Sequence, residues 1–316
     1  MIKWGIIGPG NIAAKFAEAV KQMVEADLIA VASRSKERAE VFGKVYGLEE
    51  SKCYGDYREI VQDDKVDAIY IALPHPFHKE AALLSIHHGK AVLCEKPVTM
   101  NEAEVVEVVG AAREKKVFFM EAMKTRFLPV SRKIKELIND GTIGDVRLLQ
   151  ADFGFNAPVD PAGRLFNKEL GGGALLDVGI YNLSYSSYYF GNKPVSMKSE
   201  LYYGTTGVDE SSSILLAYEN DEHAQLYSSI TLNTRREANF LGTEGRICVP
   251  IYSNAEQAFI HVKGEERKIH IPFEINGFEY QIREAVQCLQ VGKLESELMS
   301  WDDSIEVMRL VDRAQK

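Results

Sequence analysis

The chain has 316 residues, 46% hydrophobic and 26% charged, with 46 acidic against 37 basic side chains and a formal charge of -9. These proportions exclude collagen-like, low-complexity and disordered classes, and without a dense Lys/Arg stripe the acidic balance argues against a nucleic-acid partner. At roughly twice the length of a typical domain, the chain is expected to hold two, each with its own core.

The N-terminal MIKWGIIGPG carries one Lys and too short an apolar run for a secretory signal, and no stretch approaches about 18 consecutive apolar residues. The chain is therefore expected neither to enter nor to span a membrane. Its four cysteines, Cys53, Cys94, Cys248 and Cys288, lack C-x-x-C spacing and read as reduced thiols of a cytoplasmic protein. From Lys3 to Met120, β-branched runs at 4–8, 28–33, 66–73, 91–95 and 117–120 alternate with amphipathic helical segments at 11–24, 36–46, 76–88 and 101–116. This repeated β-α-β texture predicts an α/β fold over residues 1–121, with a parallel sheet covered on both faces. Asn101 followed by Glu104 reads as a helix N-cap. Beyond residue 121 come one helix at 129–140, Gly141 and Gly144 as stops, and strand-like runs at 145–155 and 211–219. Turns at Glu219-Asn220-Asp221 and Lys263-Gly264 follow, and a last helix spans 301–315. Residues 122–316 are thus expected to form an α+β domain with an antiparallel sheet.

Four motifs carry chemistry. Gly8-Pro9-Gly10-Asn11-Ile12-Ala13 follows the first strand and opens a helix. Gly8 permits the tight turn, Gly10 lets a pyrophosphate approach the backbone, and Ala13 keeps helix and strand close. The second strand ends Ala32-Ser33-Arg34-Ser35 with no carboxylate for ribose hydroxyls. Two hydroxyls and a guanidinium there favour NADP, with NAD possible. Cys94-Glu95-Lys96-Pro97 lies at the carboxyl end of a strand, where open α/β sheets place ligands. Lys96 there could exchange a proton with a substrate oxygen and Glu95 could orient it, although a surface Glu-Lys salt bridge also fits. Gly171-Gly172-Gly173 precedes Asp177 and Tyr181, which fall four apart on one helical face. A carboxylate and a phenol on that face suit a proton relay, while a Gly-rich turn before a core tyrosine is the plainer reading. The glycines admit either a ligand or another backbone. His75 and His78, after Leu73-Pro74, lack a third ligand for a metal and read as a cofactor-lining loop.

Taken together and in order, GPGNIA, Leu73-Pro74 with His78, Glu95-Lys96-Pro97 and GGGALLDVGIY resemble the Gfo/Idh/MocA family of NAD(P)-dependent oxidoreductases, and the resemblance covers the whole chain. GIY, MEAMKTRF and ADFGF look most like the branch containing dimeric dihydrodiol dehydrogenase and glucose-fructose oxidoreductase. One departure is Met123-Lys124, where eukaryotic diol dehydrogenases of that branch carry a tryptophan. The resemblance implies an NAD(P)-binding Rossmann domain over residues 1–121, followed by a C-terminal domain with a large, mainly antiparallel open sheet, often a homodimer interface. It implies Lys96 and Tyr181 as the proton-transfer pair, Asp177 as the group holding the substrate, and Phe155 and Arg126 as pocket residues. The expected function is hydride transfer between NADP and a sugar-like or diol substrate. A cofactor-binding sensor without turnover and an enzyme that retains its cofactor are alternatives on the same fold.

Overall fold

The computed structural model describes every residue from Met1 to Lys316. The chain folds into two compact units, Met1–Ala122 with Glu274–Ser304, and Met123–Phe273 with Ile305–Lys316.

In the first unit, six strands, β1 (Ile2–Ile7), β2 (Ala26–Ala32), β3 (Cys53–Tyr54), β4 (Ala68–Ile71), β5 (Ala91–Glu95) and β6 (Phe119–Ala122), form one parallel sheet in the order β3-β2-β1-β4-β5-β6. The helices between them are α1 (Asn11–Val20), α2 (Lys36–Tyr46), α3 (Tyr57–Gln62), α4 (His78–His87) and α5 (Glu102–Lys115). The near-continuous apolar strands are buried along most of their length, as a sheet covered on both faces requires. Phe16 of α1 stacks on Tyr70 of β4 at 3.9 Å between ring centroids, and its ring meets Trp4 of β1 edge-on. These three rings hold the start of α1 against the middle of the sheet, where the strand order reverses.

Helix boundaries differ from the periodicity by a few residues: α1 ends at Val20 rather than Val24, where the chain turns into β2. Asn101 does cap α5, accepting from Glu104 N at 3.0 Å. β3 and α3 are too short for a periodicity to register. Their one local signal is a capping box, with Arg58 N donating to Asp56 Oδ1 at 2.9 Å and Asp56 N donating to Glu59 Oε2 at 3.2 Å.

The second unit is built on an eight-stranded sheet. Its strands are β7 (Val146–Gly154), β8 (Ser196–Tyr203), β9 (Asp209–Ala217), β10 (His223–Ser229), β11 (Ala238–Gly242), β12 (Gly245–Val249), β13 (Gln257–Val262) and β14 (Glu265–His270), in the order β14-β13-β12-β11-β7-β10-β9-β8. Only β7 and β10 pair in parallel; every other neighbour is antiparallel. Helices α6 (Pro129–Asn139) and α7 (Ile180–Phe190) belong to this unit, α7 packing on β7 and β10. The turns expected at Gly141, Gly144, Asp221, Lys263 and Gly264 all contain left-handed residues.

The division is not linear along the chain. After β14 the segment from Glu274 returns to the first unit with α8 (Glu279–Gln290) and the start of α9 (Trp301–Ala314). The return covers the free edge of the parallel sheet: Phe119 N donates to Leu294 O at 3.0 Å, and Trp301 Nε1 donates to Phe119 O at 3.0 Å. Nothing local marks residues 274–304 as part of the earlier fold, because the partners lie far back in sequence.

Candidate active site

The crevice of the first unit opens at the carboxyl ends of β1 and β4, where doubly wound sheets bind their ligands. It encloses about 560 Å3 between the Gly8–Gly10 loop, the Ser33–Ser35 turn and the Ala72–Pro74 segment. Gly8 has φ +95°, and a Cβ there would stand 2.8 Å from Ala72 O, so the fold itself demands glycine. Gly10 is different. A Cβ at that position would meet no protein atom within 4 Å, so the fold makes no such demand. A glycine the fold does not require, at the N-cap of α1, suits close approach of an anion to free N–H groups. Asn11 and Ile12 form the first turn of α1, and Ile12 is 47% exposed.

At the end of β2, Ser33 is buried and its Oγ accepts from Ser35 N at 3.3 Å, while Ser35 caps α2 by accepting from Arg38 N at 3.4 Å. The two hydroxyls therefore shape the turn. The exposed charge comes from Arg34, whose guanidinium lies 5.5 Å from the Phe77 ring centroid, and from Arg38, which lines the same cleft. Burial pushes the Tyr57 phenol up from its usual value while Arg34 and Arg38 pull it back down, so both cations border that ring. Arg38 lies outside every motif of the sequence; its one signal there is a second arginine four residues beyond Arg34.

His78, expected to line a cofactor, has no exposed surface. Its Nδ1 faces Pro97 O at 2.8 Å and its Nε2 faces Leu73 O at 2.7 Å, so it ties the Leu73-Pro74 loop to the Lys96-Pro97 turn from beneath. His75 is 5% exposed at the start of the intervening helical turn. Glu95 accepts from Tyr70 Oη at 2.5 Å, a partner that sequence spacing does not reveal. Lys96 follows on the half-exposed tip of the strand and joins Pro97 through a cis peptide. No group of three or more His, Cys, Asp or Glu side chains is arranged to hold a metal ion.

In the second unit the Gly171–Gly173 run is explained by protein and not by ligand. A Cβ at Gly172 would lie 2.5 Å from Leu165 O, and one at Gly173 would lie 2.2 Å from Asp209 Oδ1. The run leads into a π-helical turn at Leu175–Gly179, where a regular helix was expected, and then into α7. Asp209 sits at the head of this turn, accepting from Leu175 N at 2.6 Å, and burial lifts its carboxyl to about 7. Asp177 is 7% exposed and accepts from Arg164 Nη1 at 2.9 Å. Arg164 belongs to none of the sequence motifs, yet it is the partner of Asp177. Tyr181 is half-buried beside Phe153, with 5.5 Å between ring centroids, and Arg236 covers Phe153 at 4.9 Å.

Phe155 packs against the cluster of Phe166, Ala174, Val208 and Ile230. Arg126, expected at a pocket wall, is 2% exposed and turned toward α7, donating to Ser184 Oγ at 3.0 Å and Ser187 Oγ at 3.2 Å. A buried guanidinium requires such acceptors, and the hydroxyl-rich stretch of α7 supplies them. Its geometry is that of a strut under α7.

The same architecture recurs in known proteins. The family described as "Oxidoreductase family, NAD-binding Rossmann fold" matches residues 2–123, and "GFO/IDH/MocA C-terminal domain" matches residues 131–248. The trans-1,2-dihydrobenzene-1,2-diol dehydrogenase of Xenopus laevis is 37% identical over 323 residues, covering 99% of this chain and 96% of the relative. The human protein of that name is 34% identical over 328 residues, covering 100% and 96%. A 3-ketoreductase from Actinomadura kijaniata, solved in complex with NADP and TDP-benzene, is 25% identical with a TM-score of 0.89 over 99% of this chain and 97% of its own. An aldose-aldose oxidoreductase from Caulobacter crescentus complexed with glycerol shares the fold at a TM-score of 0.90 and 23% identity, over 99% and 97%.

Proposed function

Because the chain belongs to the Gfo/Idh/MocA family of oxidoreductases, we propose that it is an NADP-dependent dehydrogenase or reductase acting on the CH–OH group of a sugar-like or diol substrate. The crevice around Gly10 carries this reading: a glycine the fold does not need, at a helix N-terminus, flanked by Arg34 and Arg38 with no carboxylate at the end of β2. Diol dehydrogenases among the relatives and a ketoreductase with NADP among the structures support the reaction class and the cofactor.

Gly8, Gly10, Asn11 and Ile12 would take the pyrophosphate, and Ser33, Arg34 and Arg38 the adenosine 2'-phosphate. Leu73, Pro74 and His75 would wall the crevice with His78 bracing them, and Glu95 and Lys96 would reach the cofactor from the end of β5. When bound, NADP supplies or accepts the hydride at the carbinol carbon. Tyr181 and Lys96 would be the pair that handles the proton of the substrate oxygen. Asp177 orients the substrate through its hydroxyls, and Phe155 offers an apolar wall.

The test is turnover by purified protein with aldoses, deoxy sugars and diols, after binding of NADPH and NADH is measured by fluorescence. Lys96→Ala or Tyr181→Phe is expected to lower kcat by about 100-fold or more with NADPH affinity within about twofold of wild type. A double variant that remains active overturns the assignment of these roles.

The open outer face of the eight-stranded sheet supports a homodimer. Strand register aligns Lys198, Leu215, Gln225, Gln150 and Asn239 in one row, with Leu215 52% exposed. Four free cysteines support a cytoplasmic location, and no helix is long and apolar enough to cross a membrane.

A further inference from the structure

The loop between β10 and β11 carries two adjacent arginines in different surroundings. Arg235 is exposed and pairs with Glu237 at 3.5 Å. Arg236 turns inward: its guanidinium lies over the Phe153 ring at 4.9 Å, and its buried Nε has no hydrogen-bond partner. The charge of Arg236 thus rests on an aromatic ring rather than on a carboxylate, and a partly desolvated cation without a counter-ion is costly to keep. Its backbone is also unusual. Arg236 has φ +58°, a left-handed conformation that a residue with a side chain adopts only where its surroundings impose it.

Those surroundings are explicit. The Arg236 N–H donates to Asp152 Oδ1 at 2.8 Å, and its carbonyl accepts from Tyr252 N at 3.2 Å. Two residues earlier, Thr234 Oγ1 accepts from Gly154 N at 2.8 Å, and a Cβ at Gly154 would lie 2.5 Å from Leu232 O, so the loop is pressed onto the end of β7. The ring under the guanidinium also carries Tyr181, at 5.5 Å between centroids, and meets Tyr252 edge-on at 6.4 Å. Tyr252 Oη in turn donates to Asn182 Oδ1 at 2.5 Å, beside Tyr181 on α7. Burial, with Tyr185, Tyr181 and Asp152, pushes the Tyr252 phenol up while Arg236 pulls it down, so Tyr181 and Arg236 act on one buried group. All of these residues belong to the second unit. Within that one unit, an uncompensated guanidinium and a half-buried phenol flank a single ring.

We propose that Arg236 is an anion-recognition residue of the Tyr181 site and takes a carboxylate carried by the substrate. The proposal rests on the dehydrogenase reading above for the role of Tyr181, and it narrows the substrate to a sugar acid in preference to the neutral sugar. A planar carboxylate matches the fork of a guanidinium, and the hydrogen bonds between them are charge-assisted. Phe153 fixes the plane of that fork and covers one of its faces without occupying an N–H donor. A neutral substrate would leave the cation partly desolvated and uncompensated, which is the source of the discrimination.

Two matched pairs of probes test this: D-glucuronate against D-glucuronamide, and D-galacturonate against D-galactose. Binding to NADP-saturated protein is measured by calorimetry, and NADP reduction is followed separately, for wild type, Arg236→Gln, Arg236→Lys and Arg235→Gln. Wild type is expected to favour the acid of at least one pair by about 10- to 100-fold in binding or in kcat/KM. Arg236→Gln is expected to bring that ratio within about threefold of unity, and Arg236→Lys to restore part of it. Arg235→Gln removes the same charge one position away and is expected to keep the preference; an equal loss there would assign the effect to net charge and overturn the proposal. Melting temperature reports on folding and should stay near wild type in at least one Arg236 variant. If Arg236→Gln weakens acid and neutral members by the same factor, Arg236 is merely structural and the proposal fails. It fails equally if the substitution weakens NADPH instead of the acids, or if wild type shows no acid preference in either pair or binds none of the four probes. Acid preference in binding without any NADP reduction would uphold the anion site and count against the dehydrogenase reading instead.

Discussion

Asp209 and His78 show how single buried groups position the side chains given catalytic roles here. His78 braces the Lys96-Pro97 turn, and burial lowers its affinity for a proton while the two carbonyls it faces pull the other way. Asp209 holds the head of the turn that carries Asp177, and its proton is held until about pH 7 because the carboxylate is desolvated. Between its ordinary value of 3.8 and about 7, the folded state keeps a proton that the unfolded chain has released. Folding stability therefore falls as pH rises through that window, and the loss is complete above it. Asp209→Asn keeps an acceptor for Leu175 N without a charge. Relative to wild type it is expected to gain on the order of 2–4 kcal/mol of stability between pH 4 and pH 8. Urea unfolding at both pH values checks this, and parallel behaviour of the two proteins would show that Asp209 titrates normally. None of this was legible in the sequence, where Asp209 is one acidic residue in a strand.

At the scale of elements, the glycine run and the turn after it divide what local sequence carries from what it does not. The run announced a close approach, and the structure decides that the visitor is the Arg164–Leu165 backbone. Two alanine substitutions separate that cause from glycine's general flexibility. Gly172→Ala must displace backbone oxygens at 2.5 and 2.8 Å, and is expected to cost about 1–3 kcal/mol and to weaken substrate binding with NADPH binding spared. Gly110→Ala, inside α5 with no atom within 4 Å of its Cβ and no positive φ, is expected to be neutral or to stabilise by about 0.5–1 kcal/mol. The urea midpoint of Gly172→Ala should fall while that of Gly110→Ala holds or rises; an equal fall in both would refute the cradle. The π-helical turn was not legible, because the regular spacing of Asp177 and Tyr181 fits an α-helix equally well.

At the scale of the molecule, the return of residues 274–304 to the first unit covers an exposed strand edge, while the eight-stranded sheet of the second unit leaves Leu215 half-exposed on one face. Glu279 secures the return, fully buried and accepting from the N–H groups of Ile275, Asn276 and Gly277 at 2.7–3.1 Å. On the sheet face, Leu215→Lys should leave the melting temperature nearly unchanged, because the side chain is 52% exposed. By light scattering, wild type is expected to be a dimer, and the variant to dissociate at a concentration about tenfold or more higher. A monomeric wild type would withdraw the homodimer.

Periodicity, turn chemistry and short motifs act over a few residues, so the sequence alone determined the β-α-β order, the glycine turn after β1, the missing acid after β2 and the antiparallel character of the second unit. Partnerships across longer separations were decided only by packing. Arg126 meets Ser184 across 58 positions, Leu175 meets Asp209 across 34, and His78 meets Pro97 across 19. Arg164 and Asp177 are 13 apart, close in sequence yet joined only because a glycine cradle and a buried phenylalanine fold the intervening loop back on itself. Residue types restrict which chemistry is possible; the contacts that choose among those possibilities exist only once distant segments share one desolvated space.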